Sequence, residues 1–235
     1  MISARVYLFD IDGTLLQTGG AGWRALTTAI AAEFGVDVTR VAVELRGRTD
    51  YAIVGDLLRL AQVEEHSRNR DRLLAAYHEC LAGELKGAPG RVLPGVWSLL
   101  QDLEESGDSL VGVLTGNGPR GAEIKLRHFD LWHRFELGVF GDQHQDRTDL
   151  ARTAARMLQD HRGGTVECEQ ICIIGDTPAD VACARAIGAQ AIGVATGGYT
   201  VAELQAAGAH VALGSLEQWP RLGLARGKRR DPEAV

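Results

Sequence analysis

Three segments of this sequence carry residue types whose spacing could do chemistry: Asp10-Ile11-Asp12-Gly13-Thr14, Thr115-Gly116-Asn117-Gly118 and Gly175-Asp176-Thr177-Pro178-Ala179-Asp180. Residues two apart in an extended chain share a face, so the turn at Gly13 can aim both Asp10 and Asp12 into one cleft. One carboxylate can attack as a nucleophile. The other can give a proton to a leaving oxygen and later activate water. Asp176 adds a third carboxylate. Clustered carboxylates raise one another's pKa, a cost that a divalent cation relieves. Hard oxygen ligands with no nearby His or Cys favour magnesium over zinc. Such a metal would hold a phosphoryl group against the nucleophile and neutralise its charge. Main-chain N–H groups after Asp10, at Ile11, and at Gly116 and Asn117 could cradle phosphate oxygens. Taken singly, Asp12-Gly13 reads as a turn and Asp176 as a helix cap. Together the three segments argue for a site.

The elements that must position these residues are short apolar runs ending just before them. Arg5–Phe9 runs into Asp10, Leu110–Leu114 into Thr115 and Ile171–Ile174 into Gly175. Ala191–Val194 and a weaker run, His210–Leu213, follow. Continuous rather than alternating apolar character suits strands buried on both faces, as in a parallel sheet. Helical patterns lie between them at Val96–Ser106, Gly121–Phe129, Leu150–Asp160 and Asp180–Ile187. Strand and helix in alternation predict an α/β fold with a doubly wound, Rossmann-like parallel sheet. Ligands bind such sheets beyond the carboxyl ends of the strands, where all three segments fall. Residues 20–87 break the rhythm, reading as helices at Ala21–Phe34, Tyr51–Ala61 and Ser67–Glu84. Gly87-Ala88-Pro89-Gly90 marks the return. The expected organisation is therefore a core of residues 1–19 and 88–224, a helical insertion of residues 20–87, and a frayed basic tail of residues 225–235.

The three segments, in this order across the whole core, resemble the haloacid dehalogenase (HAD) superfamily. The helical insertion resembles that family's C1 cap. The phosphoglycolate phosphatase and β-phosphoglucomutase-like branch is the most similar. The resemblance implies that Asp10 is the nucleophile, forming an aspartyl-phosphate, and that Asp12 is the general acid/base. It further implies that Asp10, the backbone carbonyl of Asp12, and Asp176 bind Mg2+, with Asp180 supporting the metal site. Thr115 would hydrogen-bond the phosphoryl oxygens. Dehalogenation is disfavoured, because those members lack the second Asp. The cap's specificity loop would include Leu45-Arg46-Gly47-Arg48-Thr49-Asp50. There Arg46 and Arg48 could bind an acidic or phosphorylated substrate, and Gly47 lets backbone approach it closely. Trp23 and Tyr51 could line the cleft, and Arg120 could stand at its rim.

One departure stands out. Family members carry a Lys about 25 residues before the GD segment, and this chain has Asp146-Arg147-Thr148-Asp149-Leu150 there. Arg147 keeps the positive charge and by position replaces the Lys. Lys125 is the rival. It lies ten residues past Thr115, which along a helix is roughly 15 Å from the strand end, and reads otherwise as a solvated helix face.

Composition sets outer bounds. The chain has 235 residues, a formal net charge of -6 and 45% hydrophobic residues. That profile excludes dominant disorder and a globally basic nucleic-acid surface. No apolar run is long enough to span a bilayer, and the N-terminus lacks a signal-peptide pattern. Cys80, Cys168, Cys172 and Cys183 show no metal spacing and read as reduced, structural thiols. The expectation is a cytoplasmic hydrolase acting on a small phosphorylated metabolite, without nucleic-acid or membrane partners, as a monomer or small homo-oligomer. A sugar phosphomutase shares every residue named above. A non-catalytic binding protein on the same fold would have only the missing lysine in its favour.

Overall fold

A computed structural model describes residues 6–159 and 166–222 of the chain, so the expected tail at 225–235 lies outside the described residues. The central sheet has six parallel strands in the order β5-β4-β1-β6-β7-β8. They are β1 (Val6–Phe9), β4 (Leu110–Thr115), β5 (Leu137–Phe140), β6 (Ile171–Gly175), β7 (Gln190–Val194) and β8 (Val211–Leu213). A two-stranded antiparallel pair, β2 (Leu16–Gln17) and β3 (Arg91–Val92), stands apart. The helices are α1 (Ala21–Phe34), α2 (Asp50–Leu60), α3 (Ser67–Gly87), α4 (Val96–Ser106), α5 (Pro119–His128), α6 (Thr148–Gln159), α7 (Pro178–Ala186) and α8 (Val201–Ala206).

Side chains alternate across each strand and so feed two separate cores. Tyr7 and Phe9 of β1 face one side, packing with Leu99 and Leu103 of α4 and with Ala122 and Leu126 of α5. Val6 and Leu8 face the other, with Leu150 and Ala154 of α6, Val181 and Ala184 of α7, and Leu204 of α8. Apolar burial on both faces explains why the strands read as unbroken apolar runs. Trp219 closes the first core, its ring edge-on to Tyr7 at 5.7 Å between centroids.

The sequence reading gives five strands, and the structure adds a sixth. β5 is an edge strand, parallel to β4 through Thr115↔Phe140. Three of its four residues are only partly buried. Its residues Leu137-Gly138-Val139-Phe140 are themselves a short apolar run, so it meets the same test as the other strands and is one that the sequence reading omits.

α1, α2 and α3 lie between β2 and β3 and share a core of their own. Ala21, Ala25 and Ala29, four apart on one face of α1, pack with Leu73, Tyr77 and Leu81 of α3. The β2–β3 pairing, Leu16↔Val92 and Gln17↔Arg91, ties the segment's entry to its exit. Thr49 caps α2, its side chain accepting from the Ala52 N–H at 3.2 Å. No helix among the described residues is long and apolar enough to cross a membrane.

β1 sits between β4 and β6 and delivers the aspartates, so its packing carries the site. Leu8→Ala, at a fully buried position, should lower the unfolding free energy by about 2–5 kcal/mol in chemical denaturation. Leu60→Ala, on an exposed position of α2, should stay within about 0.5 kcal/mol of the parent.

Candidate active site

In-register parallel strands bring their carboxyl ends to one edge. Phe9 pairs with Val113 on one side and Ile174 on the other, so the residues that follow converge. The Asp10 N–H still donates to the Ile174 carbonyl at 2.9 Å, which keeps Asp10 in the ladder. Asp10, Thr115 and Asp176 are buried there. Ile11 is buried too, its carbonyl accepting from Thr14, Leu15 and Leu16 as the chain turns. Asp12 is more open, its side chain 40% exposed.

Two buried cations reach this edge from opposite faces of the sheet. Arg147, just before α6, donates from Nη2 to Asp10 Oδ1 at 2.6 Å and to Asp180 Oδ1 at 2.5 Å. Lys125 of α5 donates from Nζ to Asp12 Oδ2 and to Asn117 Oδ1, both at 2.6 Å. Asn117 Nδ2 donates to the same Asp12 oxygen at 2.8 Å and to Thr115 Oγ1 at 2.9 Å. Asn117 thus contributes a side-chain relay beside any main-chain role.

The solvated-face reading of Lys125 is overturned: the residue is only 5% exposed. Counting ten helical residues from Thr115 overstates the distance, because α5 starts at Pro119. Helical side chains also lean back toward the N-terminus, and the long lysine stem then covers the remaining span. Arg147 and Lys125 are therefore not alternatives. The arginine meets Asp10 and the lysine meets Asp12.

On the far side, Asp10, Asp176 and Asp180 each place one carboxylate oxygen within 4.8 Å of the others. Burial pushes Asp10 up to about 6, with Arg147 opposing and Asp180 and Asp12 reinforcing. Asp176 is pushed up to about 8 by burial and then by the charges of Asp10 and Asp180. The Thr14 hydroxyl donates to Asp176 Oδ1 at 2.9 Å. Asp180 Oδ2 accepts from the Thr177 N–H at 3.0 Å and hydroxyl at 2.7 Å, a capping box that opens α7. Three carboxylates facing one guanidinium leave negative charge uncompensated, in an all-oxygen donor set. These residues fit a hard divalent cation. Glycines make the room: a Cβ on Gly13 would lie 2.6 Å from Asp176 Oδ2, and one on Gly197 would collide with that oxygen.

The segment before α2 roofs the edge and encloses a cavity of about 410 Å³, lined among others by Asp10, Asp12, Thr115, Lys125 and Arg147 below and by Trp23 and Arg46 above. Gly47, at φ +68°, lies so close to α7 that a Cβ would meet Ala179 Cβ at 2.9 Å. Asp50 fastens the roof: its N–H donates to the Gly116 carbonyl, and its Oδ2 accepts from the Gly118 N–H, both at 2.7 Å. Of the two arginines expected to reach a ligand, Arg46 lines the cavity beside Gly198. Arg48 borders the cavity, but its guanidinium is bound to Asp56 at 2.5 Å. Tyr51 lies under the Arg70 guanidinium, 3.7 Å from ring centroid to Cζ. Arg120 pairs with Glu123 on the surface.

Sequence reasoning passed over Thr14 as a ligand orienter, Gly197, and Asp50 as a fastener. Thr14 stood within the first segment. Gly197 follows β7, a strand whose carboxyl end also faces the site. For Asp50 the signal was its place at the first residue of a helix, after a capping Thr.

A family model described as haloacid dehalogenase-like hydrolase matches residues 7–194. The chain is 27% identical over 219 residues to "Probable phosphatase IndB" of Dickeya dadantii (strain 3937), covering 90% of both. The fold is similar to that of a CbbY variant from Rhodobacter sphaeroides in complex with xylulose-(1,5)bisphosphate. There the TM-score is 0.71 at 22% identity, over 91% of this chain and 95% of that one. It is also similar to a protein from Haemophilus somnus 129pt described as a predicted phosphoglycolate phosphatase. That pair has a TM-score of 0.70 at 16% identity, over 95% and 99% of the two chains.

A Cβ at Gly116 would collide with the Arg48 carbonyl oxygen. Gly116→Ala should therefore lift the 44–50 segment from the sheet edge while leaving both sheet cores packed. Limited trypsin digestion should cut at Arg46 or Arg48 at least about tenfold faster than in the parent, since cleavage tracks local opening. An unchanged digestion pattern would show that the roof is not held there.

Proposed function

The chain belongs to the haloacid dehalogenase-like hydrolases, and we propose that it is a magnesium-dependent phosphatase acting on a small phosphomonoester through an aspartyl-phosphate. One observation carries this reading. Asp10 and Asp12 line one cavity, each held through a single oxygen by its own buried cation. Among the described residues, Asp10 Oδ2 and Asp12 Oδ1 have no protein donor.

Asp10 Oδ2 would attack phosphorus as the bond to the leaving oxygen breaks. Asp12 would give that oxygen its proton. Asp12 would then take a proton from water, whose oxygen attacks the phosphorus of the aspartyl-phosphate. The bond to Asp10 breaks, releasing phosphate and restoring the carboxylate. Burial alone would favour protonated Asp10, and the Arg147 guanidinium opposes it, keeping the nucleophile ionised near neutral pH. Thr115 and the N–H groups of Ile11, Gly116 and Asn117 would orient phosphoryl oxygens. A magnesium ion held by Asp10, the Asp12 carbonyl and Asp176, with Asp180 beside it, would supply charge neutralisation for the phosphoryl group. The helices α1–α3 would act as a cap that excludes water from the aspartyl-phosphate, with Arg46 and Gly47 meeting the organic part of the substrate. A cavity of about 410 Å³ suits a small metabolite. Four free thiols among the described residues suit a reducing, cytoplasmic setting.

The test is phosphate release from a panel of small phosphomonoesters, with magnesium and with chelator. Release should require the metal. Asp10→Asn should reduce it to background with an unchanged circular dichroism spectrum, and Arg147→Ala should lower kcat by about 10², with Arg147→Lys recovering part of it. Chelator-insensitive release, or substantial turnover by Asp10→Asn, would overturn the mechanism.

A further inference from the structure

Lys125 does more than balance a charge. Its Nζ and Asn117 Nδ2 both donate to Oδ2 of Asp12, at 2.6 and 2.8 Å. The carboxylate is thereby fixed in orientation, with Oδ1 as the oxygen left to meet a substrate. Asn117 is itself held, its Oδ1 accepting from Lys125 and its Nδ2 also reaching Thr115. Two groups of the helical insertion, the carboxylate of Asp50 and the phenol of Tyr77, also act on the charge of Lys125. Asp50 is in turn fixed to the core by the Gly118 N–H and the Gly116 carbonyl. Both groups lie against α5: a Cβ at Gly121 would be in ordinary contact with them, 3.5 Å from Tyr77 Cε1 and 3.7 Å from Asp50 Oδ2. Asp50 of the insertion thus acts electrostatically on the ammonium that is bound to the proton-carrying residue.

We propose that Lys125 is the positioning residue that determines which oxygen of Asp12 meets the substrate, and that Asp50 holds Lys125 in place, so that the acid/base is set only while the insertion is docked on the loop after β4. This inference rests on the phosphatase reading above. It differs from a merely structural role in one readout. An alkoxide leaving group needs the proton from Asp12, whereas p-nitrophenolate leaves without it. Because kcat/KM reports the steps up to departure of the leaving group, comparing the two esters isolates the proton donor.

The experiment measures kcat/KM for a simple alkyl phosphomonoester that the parent hydrolyses and for p-nitrophenyl phosphate, in Lys125→Met, Lys125→Arg, Asp50→Asn and the Lys125→Met/Asp50→Asn double variant. Lys125→Met should lose about 10² on the alkyl ester and less than about tenfold on the aryl ester. Lys125→Arg should recover part of the alkyl loss. Asp50→Asn should show the same bias at roughly tenfold and add nothing in the Lys125→Met background, because the two act as one unit. Equal losses on both esters, or a fully additive double variant, would overturn the proposal. Should Lys125→Met fail to fold, Asp50→Asn must still show the leaving-group bias, and its absence overturns the proposal equally. A parent chain that releases no phosphate from either ester removes the phosphatase reading and this inference with it, an outcome distinct from an active parent with unbiased variants.

Discussion

Crowding four carboxylates at the end of one strand and its neighbour is the constraint that shapes the rest of the molecule. Asp10, Asp176 and Asp180 bring oxygens within 4.8 Å of each other, and Asp12 stands two residues from Asp10. Taken out of water, such charges raise one another's pKa until something positive is brought beside them. Arg147 and Lys125 do this from opposite sides of the sheet: α6, which follows Arg147, packs on one face and α5, which carries Lys125, on the other. Each cation depends on its acids as much as they depend on it. Deleting one partner of a buried pair leaves an uncompensated charge and costs about 3–5 kcal/mol. The positions of α5 and α6 are therefore tied to the chemistry at the strand ends as well as to the apolar faces beneath them.

The same crowding explains where the glycines fall. Asp176 is reached only because Gly13 and Gly197 offer no side chain in its way. The roof over the cavity comes down only because Gly47 lets the chain meet the Ala179 and Thr177 side chains and Gly116 lets backbone meet the Arg48 carbonyl. Glycine weakens regular structure, so its concentration here follows from the need for close approach. Around these contacts, polar groups are satisfied in chains: Asn117 with Thr115, Asp12 and Lys125; Asp180 with Thr177 and Arg147. Such networks hold each carboxylate in one orientation, which a nucleophile and a proton carrier both require.

What the sequence displayed was whatever is local. Asp10-x-Asp12, the Thr115 turn and the Gly175–Asp180 run were visible because each sits at the abrupt end of an apolar run, and those runs exist because β1, β4 and β6 are covered on both faces. β5 was legible on the same terms, since Leu137-Gly138-Val139-Phe140 is apolar throughout, and only its half-open place at the sheet edge sets it apart. Asp50 was not visible as a fastener because its partners are the main-chain groups of Gly116 and Gly118, far away in sequence and silent in residue type. Distance along the chain misplaces Lys125. That measure fails when a helix begins close to the site and a long side chain points back along it.

An arginine at position 147 suits the same electrostatics. Arg147 serves Asp10 and Asp180 from one nitrogen, Nη2, while its Nε is buried without a partner. A guanidinium tolerates this better than an ammonium would, because its charge is delocalised and it is more weakly hydrated. It also stays protonated beside any arrangement of acids, so it cannot give up its proton to Asp10. Lys125 is pushed in the same direction by the acids and phenol around it, against the opposing effect of its own burial. The two cations thus divide one task. The guanidinium bridges two carboxylates, one of them the proposed nucleophile, and the ammonium fixes the carboxylate that would carry protons. Their separation keeps Asp10 and Asp12 from sharing a partner, so two equivalent residue types two positions apart can hold different roles.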